Sequence, residues 1–539
     1  RANEGARIHR KLQRAAVKEH ADYAAEVFLR GIFAYEEIEF TLEGRADGIF
    51  TAADGVAVVD EIKTTACPAA DITPDFAPEH WAQAIVYAAI YAAQHELEEM
   101  RVQLTYFQVD EELILRFERH YTAQQLQEEV EALLAEYAPW ARRAVEWKKA
   151  RNSDLQAMQF PFPAYRPGQR AMAGEVYKVC RDGGQLLCQA PTGIGKSMSV
   201  LFPALKSMGN ESVGPIFYLT ARGTTRTAAE NALAVLRDTE PELHLRSVTL
   251  TAKDKICLCE ARECTPEACP YANGYYARIK GALWDVLDVP CLTAETLQEY
   301  AERHTVCPFE LGLDSSLWSD VIIGDYNYLF DPVVHLVRFF ESAGDYIFLV
   351  DEAHNLPGRA REMHSAALTK TSFYEAKKLL GKGKSSLKNA LTKVNDVFIE
   401  WRHRAEEETA ASDGRFGKTF FLKERSEEFD HLLNRLCEPL EAWLDDHREP
   451  DETHTALLQL YFDVRAWLRV ADTFDDHFVL QITASGSEVR AAQLCLDPSA
   501  FLADSFALGR AAVLFSATLA PASYYKDLCG VPEARAVAL

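Results

Sequence analysis

Hydrophobic and polar positions follow a helical period and a strand period in turn along the first part of the chain. The first 35 residues have a helical pattern, whereas residues 38–49 and 56–63 alternate between apolar and polar side chains as strands do. The further elements predicted here are a helix over residues 78–94, strands over residues 101–109 and 113–117, and an amphipathic helix over residues 124–150. The pattern therefore predicts an α/β domain over residues 1–150.

A second α/β region is predicted after residues 160–168, where three prolines and a glycine interrupt regular structure. Short apolar runs then alternate with helical stretches, an order typical of a parallel sheet covered by helices. The predicted strands cover residues 185–189, 215–219, 321–324, 346–350 and 511–515. Residues 365–480 are mostly helical in pattern and strongly charged, so we expect them to form an insertion between two strands of this sheet.

The composition fits a protein of several domains. With 539 residues, of which 48% are hydrophobic, the chain is long enough for about three or four domains. It contains no run of about 18 apolar residues, which a membrane helix needs. The charged start, residues 1–13, lacks the apolar core of a secretory signal. These features predict no membrane partner and a cytoplasmic location.

The net charge of −24 argues against a general nucleic-acid coat protein, for which a basic composition is typical. It leaves a DNA motor open, because screening limits charge effects to about 10 Å at 0.1 M salt and a local basic track can act on an acidic protein. Seven lysines form either such a track or a solvated helix face: Lys370, Lys377, Lys378, Lys382, Lys384, Lys388 and Lys393.

A phosphate-binding loop is predicted at residues 190–197, Ala-Pro-Thr-Gly-Ile-Gly-Lys-Ser, between an apolar strand and a helix. Gly193 and Gly195 let backbone N–H groups close around phosphate, Lys196 reaches the β- and γ-phosphates, and Ser197 binds Mg²⁺. An alanine stands where the general pattern has its first glycine, which is the A-x-x-G-x-G-K-[ST] form of superfamily 2 helicases. The motif predicts ATP and Mg²⁺ as ligands.

An acidic pair and a Ser-Ala-Thr sequence each follow a further apolar strand. Asp351 and Glu352 open the sequence Asp-Glu-Ala-His at a strand end, where the active sites of parallel sheets form. We expect Asp351 to hold Mg²⁺ and Glu352 to orient and deprotonate the attacking water. His354, Ser516 and Thr518 are expected to couple this site to the rest of the protein.

Together with residues 320–332, Asp-Val-Ile-Ile-Gly-Asp-Tyr-Asn-Tyr-Leu-Phe-Asp-Pro, these motifs resemble the XPD/DinG helicase family over about residues 160–539. The resemblance implies that Gln169, in Tyr-Arg-Pro-Gly-Gln, contacts the adenine edge. It also implies that Arg222, in Thr-Ala-Arg, contacts the DNA backbone, although a plain surface charge is an equally good interpretation of this arginine.

The same resemblance implies an α/β fold with a RecA-like parallel-sheet motor lobe. The lobe would be made of three segments, residues 160–255 with the phosphate-binding loop, 311–364 with Asp-Glu-Ala-His, and 481–539 with Ser-Ala-Thr. An iron–sulfur domain over residues 256–310 and a helical arch over residues 365–480 would be inserted between them. In the family these two insertions form a hole through which single-stranded DNA passes.

Six of the twelve cysteines fall between residues 257 and 307. In a chain without a secretory signal, such clustering is typical of metal or redox chemistry. The resemblance implies that four of them, spaced Cys-x6-Cys-x4-Cys-x37-Cys, hold a [4Fe–4S] cluster: Cys257, Cys264, Cys269 and Cys307. Zinc is the alternative, although the Cys-x2-Cys pairs it favours are absent. Cys259 is an alternative to Cys257, and Cys291 has no obvious partner.

The amino-terminal domain carries a second group of chemical residues. Glu61 and Lys63 lie two positions apart on one strand and therefore share a face. With Asp47 from the preceding strand they form a set in which two carboxylates hold Mg²⁺ or Mn²⁺ and a lysine activates water, as metal-assisted phosphodiester hydrolysis requires. Asp60 is a competing ligand, and ordinary surface charges are the alternative explanation for the whole set.

The order Gly-x3-His, Gly-x2-Asp, Glu-x-Lys and Gln-x3-Tyr resembles the RecB-like branch of the PD-(D/E)XK nucleases. That resemblance implies that His9 joins Asp47 and Glu61 as a metal ligand and that Lys63 is catalytic. It also implies that Gln83 and Tyr87, which lie on one helix face, hold DNA.

The sequence therefore predicts an ATP-dependent DNA helicase, moving 5′→3′ on single-stranded or forked DNA, fused to a metal-dependent nuclease of DNA repair or defence. Two alternatives stay open: a helicase whose amino-terminal domain only binds DNA or a partner, and an ATP-gated nuclease without unwinding. The first residue is arginine, so we expect the natural chain to begin earlier. We also expect a second motor lobe beyond Leu539, without which the chain binds ATP weakly and does not translocate.

Overall fold

The computed structural model describes residues 2–210, 213–221, 223–260, 263–381, 385–411, 418–447 and 451–539. The chain forms two compact units, Arg1–Lys149 and Ala150–Leu539. Among the described helices, none combines the length and the apolar character needed to cross a membrane.

The first unit is built on one five-stranded sheet with strand order β1-β2-β3-β4-β5. Its strands are β1 (Ala24–Tyr35), β2 (Ile38–Thr51), β3 (Ala57–Thr65), β4 (Glu99–Gln108) and β5 (Leu113–Thr122). The helices are α1 (Ala2–Glu19), α2 (Pro78–His95) and α3 (Ala123–Ala157), with a 3-10 turn at Ala69–Asp71. Only β3 and β4 pair in parallel, because α2 carries the chain back between them and buries its apolar face on the sheet.

The prediction of a helical pattern over the first 35 residues is wrong in its second half, since Ala24–Tyr35 is the strand β1. This strand pairs along its length with β2, and its outward residues Phe28 and Ile32 are exposed. Exposed apolar side chains hide the alternation that marks a strand, so the local pattern resembled a helix. The hairpin partner, which lies later in the sequence, decides the conformation.

The second unit contains an eight-stranded sheet in which every pairing is parallel, with strand order β17-β6-β16-β11-β7-β10-β8-β9. A four-stranded antiparallel sheet has the order β12-β15-β14-β13. The strands are β6 (Gly184–Gln189), β7 (Ile216–Thr220), β8 (Ser247–Thr249), β9 (Cys291–Leu292), β10 (Val321–Asp325), β11 (Ile347–Asp351), β12 (Ala366–Thr369), β13 (Thr419–Leu422), β14 (Phe478–Ser485), β15 (Glu488–Cys495), β16 (Ala511–Ser516) and β17 (Arg535–Ala538).

The second unit has helices between these strands. Those outside the insertion cover both faces of the parallel sheet, and each face has its own apolar core. The helices are α4 (Gln169–Asp182), α5 (Lys196–Met208), α6 (Gly223–Thr239), α7 (Lys253–Ile256), α8 (Tyr275–Val286), α9 (Ala294–His304), α10 (Pro308–Ser316), α11 (Asn327–Phe330), α12 (Val337–Phe340), α13 (Leu356–Met363), α14 (Lys370–Leu379), α15 (Ser386–Ala411), α16 (Glu427–Asp446), α17 (Glu452–Asp472), α18 (Ser499–Ala507) and α19 (Ala522–Leu528), with a 3-10 turn at Ala353–Asn355. The central strands are buried on both faces, as continuous apolar runs require.

In its described residues, the insertion expected to be a helical arch contains four helices, α14 to α17, around an apolar core of its own. It also contains the antiparallel sheet, whose strand β15 pairs with β12 at the start of the insertion. The insertion therefore extends to Cys495, past the expected end at residue 480, which lies inside β14. Strands β12 and β13 are short and have partners distant in sequence, which is why the local pattern did not predict them, whereas β14 and β15 form a hairpin at and beyond the end of the expected helical region. Of the seven lysines, Lys382 and Lys384 lie outside the described residues.

The buried carboxyl group of Asp430 gives a test of the core of this insertion. The Trp467 indole donates a 2.8 Å hydrogen bond to one oxygen of Asp430, and burial raises the pKa of that carboxyl. We expect Trp467→Phe to lower the free energy of unfolding by about 1–3 kcal/mol, because a buried acceptor is left without its donor. Trp401→Phe, in the same core and with no hydrogen bond to a described residue, is the matched control. Urea denaturation followed by circular dichroism measures both, and equal losses would contradict the prediction.

Candidate functional site

The phosphate-binding loop lies at the carboxyl end of β6, between this strand and α5. Gly193 and Gly195 have φ of +87° and +84°, a region that only glycine enters without strain. Helix α5 begins at Lys196, so the first turn presents free N–H groups and the positive end of its dipole to the loop. The loop is therefore built to hold an anion, and Lys196 and Ser197 lie at its mouth.

Asp351 ends β11, two strands away from β6 in the sheet. Its carboxylate is buried and accepts two hydrogen bonds, from the Tyr218 hydroxyl at 2.8 Å and from the backbone N–H of Glu352 at 2.8 Å. The same Tyr218 hydroxyl lies 3.3 Å from Oγ of Ser197. Burial raises the pKa of Asp351 to about 6, while the hydrogen bond from Tyr218 and the charge of Lys196 oppose that rise. The two residues predicted to bind Mg²⁺ are thus joined through one hydroxyl.

Glu352 is held in the left-handed backbone region, at φ +49°. Its carboxylate accepts a 3.0 Å hydrogen bond from Oγ of Ser516, at the end of β16. Nδ1 of His354 lies 2.7 Å from the same Oγ and 3.3 Å from the Glu352 carboxylate. The structure therefore brings together Glu352, His354 and Ser516. The Thr518 side chain is exposed, and only its backbone N–H approaches Ser516, at 3.5 Å.

Gln169 opens α4 and is almost fully buried. A Cβ added at Gly195 would lie 2.9 Å from its amide nitrogen, so the side chain lies directly against the phosphate-binding loop. Its amide oxygen accepts a 3.0 Å hydrogen bond from the N–H of Arg166, whose guanidinium donates to the carbonyl of Gly193. Arg222 lies outside the described residues.

In the first unit, Asp47 lies where β2 leaves its pairing with β3, one residue before the paired Gly48. One of its carboxylate oxygens accepts a 2.7 Å hydrogen bond from the N–H of Ile62, in place of a strand partner. The other lies 3.3 Å from Nδ1 of His9 on α1. This contact raises the pKa of His9 against the opposing effect of burial.

A chain of hydrogen bonds connects β3 to α2. Lys63 donates to Glu61 at 2.8 Å and to the amide oxygen of Gln83 at 2.9 Å, and Gln83 donates to the Tyr87 hydroxyl at 3.2 Å. A Cβ at Gly44 would lie 2.5 Å from that hydroxyl, so the glycine of Gly-x2-Asp makes room for Tyr87. Tyr87 is itself buried, and its hydroxyl accepts the hydrogen bond from Gln83.

Glu61 is the buried carboxylate of this group. Burial, and next the charge of Asp47, raise its pKa to about 7. Its second carboxylate oxygen is buried and has no hydrogen-bond partner among the described residues. A buried acceptor without a donor is costly unless a ligand completes it, and a divalent cation is a suitable ligand for such an oxygen. Within the described ranges, however, no three His, Cys, Asp or Glu side chains are already arranged around a common metal position.

Asp60, the competing ligand, points to the opposite face of β3. Its carboxylate accepts hydrogen bonds from Thr105 at 2.5 Å, from Gln103 at 2.9 Å and from Tyr23 at 3.4 Å. Burial raises its pKa. The alternation of side chains in a strand therefore separates it from Glu61 and Lys63.

Five of the six clustered cysteines fall into two groups, and the sixth, Cys291, lies on β9 beside Arg237. Cys259 lies beside Cys257 and Cys269, with 3.9 Å between the sulfur atoms of Cys259 and Cys269. Cys264 and Cys307 both lie beside Lys253. The donor set fits an iron–sulfur cluster in its chemistry, since cysteine sulfur is the usual ligand of such clusters and all five thiols are free. The four predicted ligands are not gathered at one point in the described part of this segment.

Comparisons with known proteins agree with this division of the chain. Residues 2–165 match the model of the PD-(D/E)XK nuclease superfamily, and residues 233–373 match the DEAD_2 family model. The second match includes the clustered cysteines and Asp-Glu-Ala-His. The chain is XPD/DinG-like, with an amino-terminal PD-(D/E)XK nuclease-like domain.

Relatives of the XPD/DinG-like part include two curated helicases. The XPD/RAD3 helicase subunit of general transcription and DNA repair factor IIH from Saccharomyces cerevisiae is 24% identical over 276 residues, 44% of this chain and 34% of the relative. A regulator of telomere elongation helicase 1 homolog from Drosophila erecta is 23% identical over 269 residues, 39% and 26% of the two chains. This chain thus spans about a third or less of the length of these relatives. A solved XPD helicase structure overlaps 70% of this chain and 62% of its own, with 18% identity and a TM-score of 0.44.

Two residues beside these sites, Tyr218 and His80, were not predicted from the sequence. Tyr218 lies in a buried strand, where its aromatic ring is indistinguishable from core until the contact with Asp351 is known. His80 precedes Gln83 by one helical turn on α2, and its Nδ1 lies 2.9 Å from the buried hydroxyl of Tyr106. Burial, and next the charge of Lys63, lower the pKa of His80. Its spacing from Gln83 was the signal that could have identified it.

We expect Tyr218→Phe to weaken Mg²⁺ binding at the nucleotide site about tenfold, because a residue that orients a metal ligand typically contributes that much to affinity. Phenylalanine keeps the edge contact with Phe515. A fluorescent ATP analogue titrated with Mg²⁺ measures the change. Tyr346→Phe is the control, because it removes a 3.0 Å hydrogen bond to the backbone carbonyl of Phe339 at the amino end of β11, away from the nucleotide site. An unchanged Mg²⁺ midpoint in Tyr218→Phe would refute the assignment.

Mn²⁺ binding to the first unit should weaken as the pH falls below about 7. Glu61 must lose its proton to bind a cation, and its pKa lies near 7, so affinity should drop about tenfold per pH unit below that value. Electron paramagnetic resonance of free Mn²⁺ between pH 8 and pH 5.5 measures this. Glu61→Gln is the control that should bind weakly at every pH, and equal affinity for the wild type across the range would contradict the prediction.

Proposed function

We propose that this chain is an ATP-driven DNA helicase fused to a metal-dependent nuclease. The observation that carries the proposal is the edge of the parallel sheet, where Lys196, Ser197, Asp351 and Glu352 lie within reach of one nucleotide. By family resemblance the motor moves 5′→3′ on single-stranded or forked DNA. We place this activity in DNA repair or defence, in the cytoplasm.

At the nucleotide site, the loop N–H groups and Lys196 bind the phosphates, and Gln169 contacts the adenine. Mg²⁺, held by Ser197 and Asp351, neutralises charge on the phosphates when it is bound. Glu352 orients the attacking water and takes its proton. Because Glu352 shares a hydrogen bond with Ser516, which also contacts His354, a change at the phosphates reaches β16 through this group. Thr518 belongs to the same turn.

At the nuclease site, His9, Asp47 and Glu61 are the proposed ligands of Mg²⁺ or Mn²⁺. The cation supplies a metal-activated water and stabilises charge on the phosphate when it is bound. Lys63, fixed between Glu61 and Gln83, is placed to position that water or the phosphate. Gln83 is the proposed DNA contact, with buried Tyr87 holding its amide in place.

We further propose that four of the five neighbouring cysteines, with Cys264, Cys269 and Cys307 among them and either Cys257 or Cys259 as the fourth, hold a [4Fe–4S] cluster. The insertion over residues 366–495 is the proposed arch, and with the cluster domain it encloses the DNA strand. Iron content and visible absorption of anaerobically purified protein test the cluster independently of activity, with bound zinc as the outcome that overturns it.

A non-catalytic role for the first unit is the second candidate. It is favoured by one observation, namely that both carboxylate oxygens of Asp47 already have partners within the chain. Such a domain would bind DNA or a partner without cleaving. Nuclease assays on several DNA forms with Mg²⁺ or Mn²⁺ distinguish this role from the proposed dual enzyme, and strand-displacement assays distinguish an ATP-gated nuclease that does not unwind DNA.

The two activities should separate by mutation. Lys196→Ala should weaken binding of a fluorescent ATP analogue at least tenfold while leaving cleavage of labelled single-stranded DNA unchanged. Lys63→Ala should lower the cleavage rate about 100-fold or more, the usual effect of removing a catalytic proton carrier or phosphate contact, and leave ATP binding intact. Each variant serves as the control for the other. If neither substitution changed either activity, both assignments would be wrong.

A further inference from the structure

A pair of arginines converges on Asp325, at the carboxyl end of β10. This strand lies beside β7, on the side away from the phosphate-binding loop. Three strands separate β10 from β6, so at about 4.8 Å per strand Asp325 lies about 19 Å from the end of β6. The position is therefore distinct from the nucleotide site but belongs to the same edge, where ligands of parallel sheets bind.

The two guanidiniums reach Asp325 from different helices. Nη2 of Arg226, on α6, lies 3.9 Å from one carboxylate oxygen, and Nη2 of Arg359, on α13, lies 3.9 Å from the other. These distances are too long for hydrogen bonds. Arg226 also donates to the carbonyl of Leu250 at 3.1 Å, and Arg359 to the side chain of Asn327 at 3.2 Å. Both Nε atoms are buried and have no hydrogen-bond partner among the described residues.

The charges of this group do not balance in the centre. Two guanidiniums face the one carboxylate of Asp325. Glu362 pairs with the outer nitrogen of Arg359 at 3.1 Å. Glu230, one turn along α6 from Arg226, accepts a 2.6 Å hydrogen bond from Thr249. The Glu362 side chain is 70% exposed, and an exposed ion pair of this kind contributes little. The interior of the group therefore carries an excess positive charge and unused donors, and the side chains of Arg226 and Arg359 are 16% and 38% exposed.

We propose that Arg226 and Arg359 form a binding site for a backbone phosphate of single-stranded DNA. Planar guanidiniums match phosphate oxygens better than any other side chain, and two of them hold one phosphate in a fixed place. Asp325 lies between the two guanidiniums and competes with the phosphate for them. This inference rests on the proposed helicase function and adds a strand contact that lies away from the nucleotide.

The expected signature is a change in the salt dependence of binding. Each phosphate contact on a single strand contributes about −0.7 to the slope of log K against log salt concentration. Because the two arginines hold one phosphate, the double variant should reduce that slope by about 0.7 for fluorescein-labelled oligo(dT), and Arg226→Gln or Arg359→Gln alone by no more than that. Fluorescence anisotropy with the full 539-residue chain, at several salt concentrations, measures the slope.

Removing the negative charge of Asp325 should change DNA affinity in the opposite direction, which distinguishes a phosphate-binding site from a purely structural group. Asp325→Asn keeps the size of the side chain and its 3.1 Å hydrogen bond from the N–H of Asn327, but removes the negative charge between the arginines. We expect tighter DNA binding in this variant, whereas a merely structural group would give weaker binding. Arg226→Lys and Arg359→Lys should restore the slope while recovering only part of the affinity.

Arg181→Gln is the matched control, since Arg181 also pairs with an acid, Asp182, but lies at the opposite edge of the same sheet. The proposal is overturned if the slope is unchanged in the glutamine variants, or if Asp325→Asn weakens binding. If the variants instead weaken binding of the ATP analogue, the ligand is a nucleotide phosphate and the DNA assignment is wrong. Should the wild-type chain bind neither ATP nor oligo(dT), the proposed function itself fails.

Discussion

The buried carboxylate of Asp351 is the constraint on which the second unit depends. Removing such a group from water is unfavourable unless donors replace the lost hydration. The fold supplies those donors from the next strand, through the Tyr218 hydroxyl, and from the following peptide. The Tyr218 donor reaches Asp351 only when β11 and β7 are in register. The geometry of the nucleotide site therefore depends on the correct pairing of the central strands.

The first unit solves the same problem differently. Glu61 is also buried, but one of its oxygens has the ammonium of Lys63 as its partner and the other has none among the described residues. Asp351 is satisfied by neutral donors, whereas Glu61 is left incomplete. Burial raises the pKa of both carboxyls, and the charge of Asp47 raises that of Glu61 further. A site of this kind has a higher affinity for a proton or a cation than one whose donors are all in place.

The sequence was sufficient to predict the parallel sheet, because its strands are continuous apolar runs that end in recognisable motifs. The spacing on β3 was also sufficient to predict that Glu61 and Lys63 share a face, and the spacing on α2 that Gln83 and Tyr87 do. Their roles in binding and catalysis stay predictions. The sequence did not predict β1, whose exposed apolar residues hide the alternation of a strand, or the sheet of the arch, whose strands β12 and β13 are short and have partners distant in sequence. The roles of Tyr218 and Asp60 depend on contacts between strands, which no local pattern contains.

Tyr326, directly after β10, is fully buried, and its hydroxyl donates to the backbone carbonyl of Asp351. The tip of β10 is thus tied to the tip of β11 across the intervening β7 by a bond that involves no charge. Moving either tip independently would break a buried hydrogen bond, at a cost of about 1 kcal/mol or more. The tips of β10 and β11 are thereby coupled, so that a displacement of Asp351 at the nucleotide site is transmitted to the end of β10 without any change in ionisation.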